Sequence, residues 1–281
     1  MNPARMATVK EFGPATARPA AEGVLLPAAS LWQREIVRFY RNRSRVAGVI
    51  LSPLLFWLVI GSGFGSSFRA AGPGSGAHYL EFFFPGALTM IVLFTSIFAM
   101  MSVIEDRKEG FLLSVLVAPV HRSAIVLGKV LGGATLATIQ GIIFLVFTPL
   151  LHDAHLGLDN LGPIVLTIFL VAFSLTALGF AIAWPMDSPQ AFHAIVNLFL
   201  IPLWLISGSL FPLSGAAGWL RAVMRCNPLT YGNEALRRLL FPGADSALPL
   251  GPSLIVLAGF SVVMFAWAYA VANRRTRKPA A

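Results

Sequence analysis

Charge is scarce in this sequence. Only 12% of its 281 residues are Asp, Glu, Lys or Arg, about half the charged share of an ordinary soluble domain, whereas 57% are hydrophobic. The mean hydropathy of +0.76 agrees with that balance. A soluble fold is therefore excluded, and the length of the chain is better counted in membrane spans of about 20 residues each.

The sequence also lacks the residues that several kinds of functional site require. Cys226 is the only cysteine, which excludes a disulfide within the chain and a metal site made of several cysteines. No apolar run carries an ionisable residue near its centre, so a proton relay and ion-coupled secondary transport are disfavoured. The segment 127–130 (LGKV) lacks the first glycine and the Ser or Thr of a phosphate-binding loop. We therefore predict no catalytic residue, metal or cofactor on this chain, and no energy source of its own.

What the chain does contain is a series of apolar runs. Six of them are long enough to cross a bilayer as helices, and they contain essentially no charge. We predict an all-α membrane protein in which these runs form one domain over residues 46–272. The predicted spans are 46–64, 82–104, 124–151, 161–186, 191–211 and 251–272.

The basic residues set the orientation of these spans. Eight Lys and Arg residues precede the first span, four lie in 105–129 and four lie in the basic tail at 273–281, whereas the loop after the first span carries only Arg69. The positive-inside rule therefore places both termini in the cytoplasm. Because the net charge of +9 collects at the ends of apolar runs, we expect lipid rather than nucleic acid as its partner. Residues 1–29 have no apolar core and are interpreted as a disordered cytoplasmic tail.

The segment just before the first span, residues 30–45 (SLWQREIVRFYRNRSR), has apolar residues near helical spacing. It predicts an interfacial amphipathic helix on the cytoplasmic leaflet, with Ser30 as N-cap and with arginines facing anionic lipid. A positive flank that only sets topology is compatible with the same residues. The residues assigned to this surface are Trp32, Arg34, Arg38 and Arg41.

The external loop before the last span contains four arginines, against the charge rule. Its segments GWLRAVMRCNP and YGNEALRRLLF each resemble a short amphipathic helix, with Leu236 and Leu239 on one side and Arg237 and Arg238 on another. We predict two short external helices, and the alternative is a different number of spans. In another external loop, His152 and the nearby His155 are interpreted either as metal ligands or as solvated side chains.

The stretch 105–129 (EDRKEGFLLSVLVAPVHRSAIVLGK) places a short apolar segment inside a charged cytoplasmic loop. Residues 110–117 predict about two helical turns that end at Pro119. An exposed apolar helix beside water calls for a partner surface, although burial in the lipid headgroups is an equal alternative. The predicted apolar face consists of Phe111, Leu112, Val115 and Leu116.

Two motifs and one helix resemble the ABC type-2 transporter permease family, most closely its drug- and polysaccharide-exporting branches. The cytoplasmic stretch is similar to the family's signature of an acidic residue, a glycine, a short helix, a proline, a basic residue and a Gly-Lys pair. The segment 227–241 (NPLTYGNEALRRLLF) resembles the family's stretch before its last span, and the basic segment at 30–43 resembles its N-terminal helix. The resemblance covers about residues 30–273.

The resemblance implies the permease half of an exporter in the cytoplasmic (inner) membrane. Two six-span permeases, as a homodimer or with a paralogue, would each dock a separate nucleotide-binding ATPase subunit that holds ATP and Mg. A coupling helix would seat in the ATPase, and the two short external helices would form an outer gate. The implied docking residues are Glu105, Gly110, Phe111, Leu112, Val115, Leu116, Pro119 and Arg122, and the implied gate residues are Asn227, Pro228, Tyr231, Glu234 and Arg237.

Two points stay open at the level of sequence. The alternative function is a membrane-embedded enzyme or channel without an ATPase partner. For the exporter, drugs, lipids and lipid-linked saccharides all suit apolar faces on spans one, two and five. Gly128 and Gly132 are only a loose small-residue signal for pairing between permeases.

Overall fold

A computed structural model describes residues 23–41, 48, 51, 53–63, 79–117, 120–244 and 246–274 of the protein. Most of the predicted N-terminal tail, part of the first predicted span, Pro119 and nearly all of the basic C-terminal tail lie outside the described residues.

The described chain is helical, with short connections and no strand among its described residues. The predicted all-α class is confirmed, and two short helices precede the last candidate span. The helices are α1 Leu25–Arg41, α2 Pro53–Gly63, α3 Tyr79–Ala99, α4 Met101–Lys108, α5 Phe111–Val117, α6 Arg122–Phe144, α7 Leu158–Ala183, α8 Pro189–Trp204, α9 Gly218–Cys226, α10 Pro228–Leu240 and α11 Leu250–Asn273.

Five helical stretches are long and apolar enough to cross a membrane, and they correspond to predicted spans two to six. Of the first predicted span, the described part is the shorter apolar helix α2, so the count of six stays a prediction. The stretches are Tyr79–Lys108, Arg122–Leu150, Leu158–Ala183, Pro189–Ser209 and Leu250–Asn273.

These stretches differ in how far the rest of the chain covers them. In the apolar part of Tyr79–Lys108, 83% of the residues are buried, against 17% for Leu250–Asn273. The pair α3–α4 is therefore the centre of the bundle, and α11 lies at its periphery. Trp57 of α2 is fully buried against the rings of Phe84 and Phe144, at centroid distances of 5.4 and 5.7 Å, which fastens the first predicted span to α3 and α6.

Helix α1 begins at Leu25, five residues before the predicted start at Ser30. The prediction of Ser30 as N-cap is wrong, because its hydroxyl lies inside the helix and donates to the Leu26 carbonyl at 3.1 Å. Pro27 falls in the first helical turn, where a missing backbone N–H costs nothing, so the helix tolerates it.

Two glycines of α6 allow α1 to pack directly on its backbone. A Cβ at Gly128 would lie 2.6 Å from the Ala28 carbonyl oxygen, and one at Gly132 would lie 2.7 Å from Glu35 Cβ. The sequence offered these glycines as a signal for pairing between permeases. In the structure the same positions receive α1 of their own chain.

The chain leaves α8 through a wide turn, Leu205–Ser209, in which Gly208 has a φ of +80° that favours glycine. Helices α9 and α10 follow at the same end of the bundle as the start of α3, since the Tyr79 hydroxyl donates to the Leu210 carbonyl at 3.0 Å. Helices α4 and α5 lie at the other end of that span.

Candidate functional site

A buried charged cluster joins α1, α4 and α6 at the end of the bundle that carries α5. Its centre is Asp106 of α4, which is completely buried. Arg34 donates to both of its carboxylate oxygens, at 3.0 and 2.8 Å, and Arg38 donates to Oδ1 at 2.7 Å. Lys129 of α6 donates to Oδ2. One carboxylate therefore holds three helices together.

Lys129 is equally buried, with 1% of its surface exposed. Its Nζ lies 2.5 Å from Glu35 Oε1 and 3.2 Å from Ser102 Oγ. Removing one partner of a buried ion pair costs about 3–5 kcal/mol, because the other charge is left without compensation. We therefore call Arg34, Glu35, Arg38, Asp106 and Lys129 the charged junction, and expect it to hold its helices in a fixed arrangement.

The arginines of α1 do not lie where the sequence suggested. Arg34 and Arg38 were expected to face anionic lipid, and this is wrong, because both bind carboxylates of their own chain; Arg38 also reaches Glu105 at 2.8 Å. The hydrogen bond to Asp106 raises the pKa of the Arg34 guanidinium. Trp32 is partly exposed and donates to Thr135 of α6 at 3.1 Å.

A small basic cavity lies beside the charged junction. Its volume is about 330 Å³, and exposed Arg41 contributes to its lining together with Arg34, Val37, Arg38 and Glu109. Among the predicted surface arginines, Arg41 is thus the one whose side chain remains exposed at this end of the bundle.

Helix α5 follows the charged junction after a turn at Gly110, whose φ of +78° explains the glycine in the motif. The apolar face that α5 leaves exposed is not the predicted one. Leu112 is buried, and Phe111 and Val115 pack against the core, with the Arg34 guanidinium 3.7 Å from the Phe111 ring centroid. Of the four predicted face residues, Leu116 is exposed.

The exposed apolar residues of α5 are on its other side. Leu113 is 62% exposed, Leu116 38% and Val117 86%. These three side chains are called the docking face, after the contact that is proposed for them below. Since α5 has apolar residues on every side, the half that packs on the bundle leaves an apolar half uncovered.

Two basic residues that flank α5 in the sequence, Arg107 and Arg122, bind other parts of the bundle. Arg107 donates to the Met186 carbonyl at 3.1 Å and to Asp187 at 3.2 Å. Arg122 donates to the Ala272 carbonyl, near the C-terminal end of α11, at 2.9 Å. Both fasten the loop to neighbouring spans, and Lys108 remains as an exposed cation beside α5.

At the opposite end, α10 is packed into the bundle, and the prediction that Arg237 lies on a polar outer side is wrong. Arg237 is 3% exposed, pairs with Glu234 at 2.5 Å and donates to the Gly208 carbonyl at 2.9 Å. Burial lowers the pKa of this guanidinium, while Glu234 opposes the change. Its neighbour Arg238 is the exposed one.

Further polar contacts tie α10 to the glycine turn and to α3. Asn233 donates to Ser209 Oγ at 2.9 Å and accepts from Thr89 at 3.2 Å. Asn227 caps α10 by accepting from the Leu229 N–H and also donates to the Leu203 carbonyl at 2.6 Å. Of the predicted gate residues, Glu234 and Arg237 form a buried pair, and Asn227 is buried at the start of α10. Pro228 opens α10, and the Tyr231 hydroxyl donates to the Arg225 carbonyl at 2.9 Å.

An apolar groove lies between α2, α3 and α8. Its volume is about 420 Å³, within the usual range of about 300–1,000 Å³ for sites that bind drug-sized molecules. Aromatic rings dominate its wall, and the rings of Phe94 and Phe98 stack at 5.6 Å. The lining residues are Gly48, Pro53, Phe56, Met90, Phe94, Phe98, Ile201 and Trp204.

The loop with two histidines shows no metal geometry. His155 lies 3.3 Å from Asp159, and the His152 backbone N–H donates to Glu81 at 2.9 Å. Across the described residues, no group of three His, Cys, Asp or Glu side chains is placed to hold a metal ion.

The roles of Glu35, Asp106 and Lys129 were not predicted from the sequence. A signal was present, because Glu35 is the only acidic residue between Glu22 and Glu81 and it sits among arginines, while Lys129 is a lone charge within a span. A lone acidic residue on one helix and a lone basic residue on another indicate that the two helices pack with those charges paired.

Known proteins resemble this chain over most of its length. It is 28% identical to the putative transport permease ycf38 of Cyanophora paradoxa, over 84% of this chain and 85% of that protein. It is 25% identical to the daunorubicin resistance ABC transporter permease protein DrrB1 of Streptomyces coeruleorubidus, over 92% and 89%. The probable multidrug ABC transporter permease YbhR of Escherichia coli K12 is 24% identical, over 64% and 50%.

The chain also matches a known protein family. Residues 28–241, which include the charged junction, α5, the groove-lining helices and α10, match the ABC-2 type transporter family. The chain therefore belongs to the ABC-2 type transporter family and is a membrane subunit of an ABC transporter.

Proposed function

We propose that this protein is the permease subunit of an ATP-driven exporter in the cytoplasmic membrane, with both termini in the cytoplasm. ATP and Mg would be held by a separate nucleotide-binding subunit. The observation that carries the proposal is the docking face, an apolar surface on a short helix that is fixed to the charged junction. A second permease, identical or a paralogue, completes the transporter.

The docking face suits a protein partner. Exposed apolar side chains at the centre of a contact, with charges at its edge, are the usual anatomy of a protein interface. Lys108, Glu109 and Arg41 are exposed near α5 and supply such a rim. The turn at Gly110 presents α5 while Leu112 holds it on the bundle.

The charged junction gives a route from the docking face to the spans. Because Asp106 binds residues of α1 and α6 at once, a displacement of α5 reaches these helices together rather than bending one loop. Packed helices with fixed contacts move as units when a partner pushes on them. ATP-driven closure of the partner would thereby shift the wall of the apolar groove.

The groove supports an amphipathic substrate. Its aromatic wall favours an apolar body, and a drug, a lipid or a lipid-linked saccharide fits that requirement. Two of the relatives are named for daunorubicin resistance and multidrug transport, which favours a drug-like molecule. The buried network of Asn233, Glu234 and Arg237 would act as the outer gate on the same path.

Co-purification with the partner ATPase tests the docking face. Val117→Asp and Leu113→Asp are expected to abolish recovery of the ATPase, because each puts a charge into an apolar contact. The matched control is Leu158→Asp, an exposed leucine (93%) at the start of α7. Recovery that is unchanged in both docking variants would contradict the proposal and favour contact of α5 with lipid headgroups.

A further inference from the structure

A second uncovered apolar surface lies on α9, at the end of the bundle away from the docking face. We propose that α9 is a lipid-binding helix, seated in the headgroup layer, with anionic phospholipid along its exposed side. This inference goes beyond the proposed function, and it needs neither an ATPase partner nor a particular substrate.

Helix α9 has two separate apolar sides. Leu220 and Met224 pack inward on the small cluster formed by Leu213 and Ala216. A second stripe has the helical spacing i, i+3, i+4, i+7 and is exposed, with Trp219 at 72% and Val223 at 42%. The stripe consists of Trp219, Ala222, Val223 and Cys226.

The connections of α9 fix its depth. Eight residues separate it from the turn Leu205–Ser209, which ends the candidate span Pro189–Ser209. Asn227 alone separates it from α10. Nine residues extend about 14 Å as a helix, too short for a hydrocarbon core of about 30 Å. Helix α9 therefore lies at the level where the spans leave the membrane.

The charges of α9 indicate what kind of molecule covers its exposed stripe. The helix carries Arg221 and Arg225 and no acidic residue. Arg221 is held by the carbonyls of Ser214 and Ala216, at 2.8 and 3.1 Å, whereas Arg225 is exposed. A tryptophan and an apolar stripe beside basic residues are typical of helices that bind anionic membrane surfaces.

The other candidate occupant is a second copy of this chain. A two-fold contact places the same patch of both copies together, so the basic side of α9 would face its own equivalent. Phospholipid with an anionic headgroup instead pairs with exposed Arg225 and covers the stripe with its acyl chain. The charges therefore favour lipid.

Lipid bound to α9 would also restrict movement of the proposed outer gate. Asn227 follows α9 directly, caps α10 and donates to Leu203 of α8. The Tyr231 hydroxyl of α10 donates back to the Arg225 carbonyl of α9 at 2.9 Å. A lipid that fixes the position of α9 thus also fixes the first turn of α10.

The single cysteine allows a direct measurement of depth. A nitroxide on Cys226 of the full chain, in vesicles of phosphatidylcholine and phosphatidylglycerol, is expected to collide more often with oxygen than with a water-soluble nickel chelate. In a Cys226→Ser background, Ser214→Cys gives the aqueous control and Ile255→Cys, 73% exposed on α11, gives the acyl-chain control. Accessibility equal to the aqueous control, or spin–spin broadening between copies, would overturn the proposal.

Headgroup selectivity is read from Trp219 fluorescence. The chain has six tryptophans, so the Trp219 signal is the difference from a Trp219→Phe variant. Brominated phosphatidylglycerol is expected to quench this signal at about fivefold lower mole fraction than brominated phosphatidylcholine. Arg225→Gln removes that preference, whereas Arg238→Gln, an exposed arginine on α10, retains it. Equal quenching by both lipids in the unmodified chain would contradict an anionic-lipid surface.

Discussion

Lys129 of α6 and Asp106 of α4 form an ion pair from which water is excluded, with 1% and 0% of their side chains exposed. The two residues are separated by 23 positions in sequence and by the whole of α5, which the loop between them carries outward. The pair therefore closes the base of the loop that presents the docking face.

Lys129→Met is expected to destabilise the protein by about 3–5 kcal/mol, because Glu35 and Asp106 then keep buried charges without their lysine. Thermal or denaturant unfolding of the purified protein measures the loss. The double variant Lys129→Met/Glu35→Gln should lose less than the sum of its single changes. Lys108→Met, at an exposed site, is the control, and equal losses at positions 108 and 129 would contradict the role of the junction.

Gly128→Val is expected to displace α1 from α6, because a Cβ there meets the Ala28 carbonyl oxygen at 2.6 Å. Overpacking of this kind costs about 1–3 kcal/mol, seen as a lower unfolding temperature and faster proteolysis of α1. Gly162→Val is the control, since no atom lies within 4 Å of its added Cβ. An undisturbed α1 in Gly128→Val would show that the two helices do not pack closely.

Arg237→Met should cost about 3–5 kcal/mol of stability, whereas Arg238→Met at the next position should cost little. The difference follows from burial, because Arg237 is paired with Glu234 inside the bundle and Arg238 is exposed. Adding Glu234→Gln to Arg237→Met should recover part of the loss. Unfolding curves of these three variants and of the unmodified protein are the measurement, and similar curves for both arginine variants would contradict a buried pair.

Phe98→Ala is expected to reduce substrate transport in vesicles while the ATPase still co-purifies, because it enlarges the apolar groove without touching the docking face. Deleting a buried aromatic contact weakens binding of an apolar ligand by about 1 kcal/mol or more, or roughly fivefold in affinity. Phe169→Ala, between α7 and α11, is the matched control. A transport defect of equal size in both variants would place the substrate elsewhere.

The helix at 110–117 shows where sequence reasoning succeeds and where it stops. Its existence was predictable, because apolar content and flanking charges are local features. Gly110 was predicted to lie within the helix, whereas it forms the turn that precedes it. The docking face was not predictable, since FLLSVLV is apolar on all sides and periodicity cannot choose one of them. Packing of Leu112 and Phe111 on the bundle made that choice and left Leu113 and Val117 exposed.

In the segment before the last span, the sequence likewise does not show which of two adjacent charged residues is buried. Both short helices were predicted from their patterns, but Arg237 and Arg238 are indistinguishable in sequence. The turn at Gly208 and the carboxylate of Glu234 sit where only one of them can reach, so α10 buries Arg237 and exposes Arg238.

By itself, the sequence determined that this protein lies in a membrane and where most of its spans are. It also determined that the chain carries no recognisable ATP-binding motif. Hydropathy and motifs are properties of short stretches of chain, so no tertiary structure is needed to read them. Only the tertiary structure decided which charges are paired, which side of α5 is uncovered and which arginines remain exposed. Arg34 and Asp106 lie 72 residues apart, and their hydrogen bonds exist because α1 and α4 meet beside α6. Contacts over such separations depend on how helices pack, which no local pattern specifies.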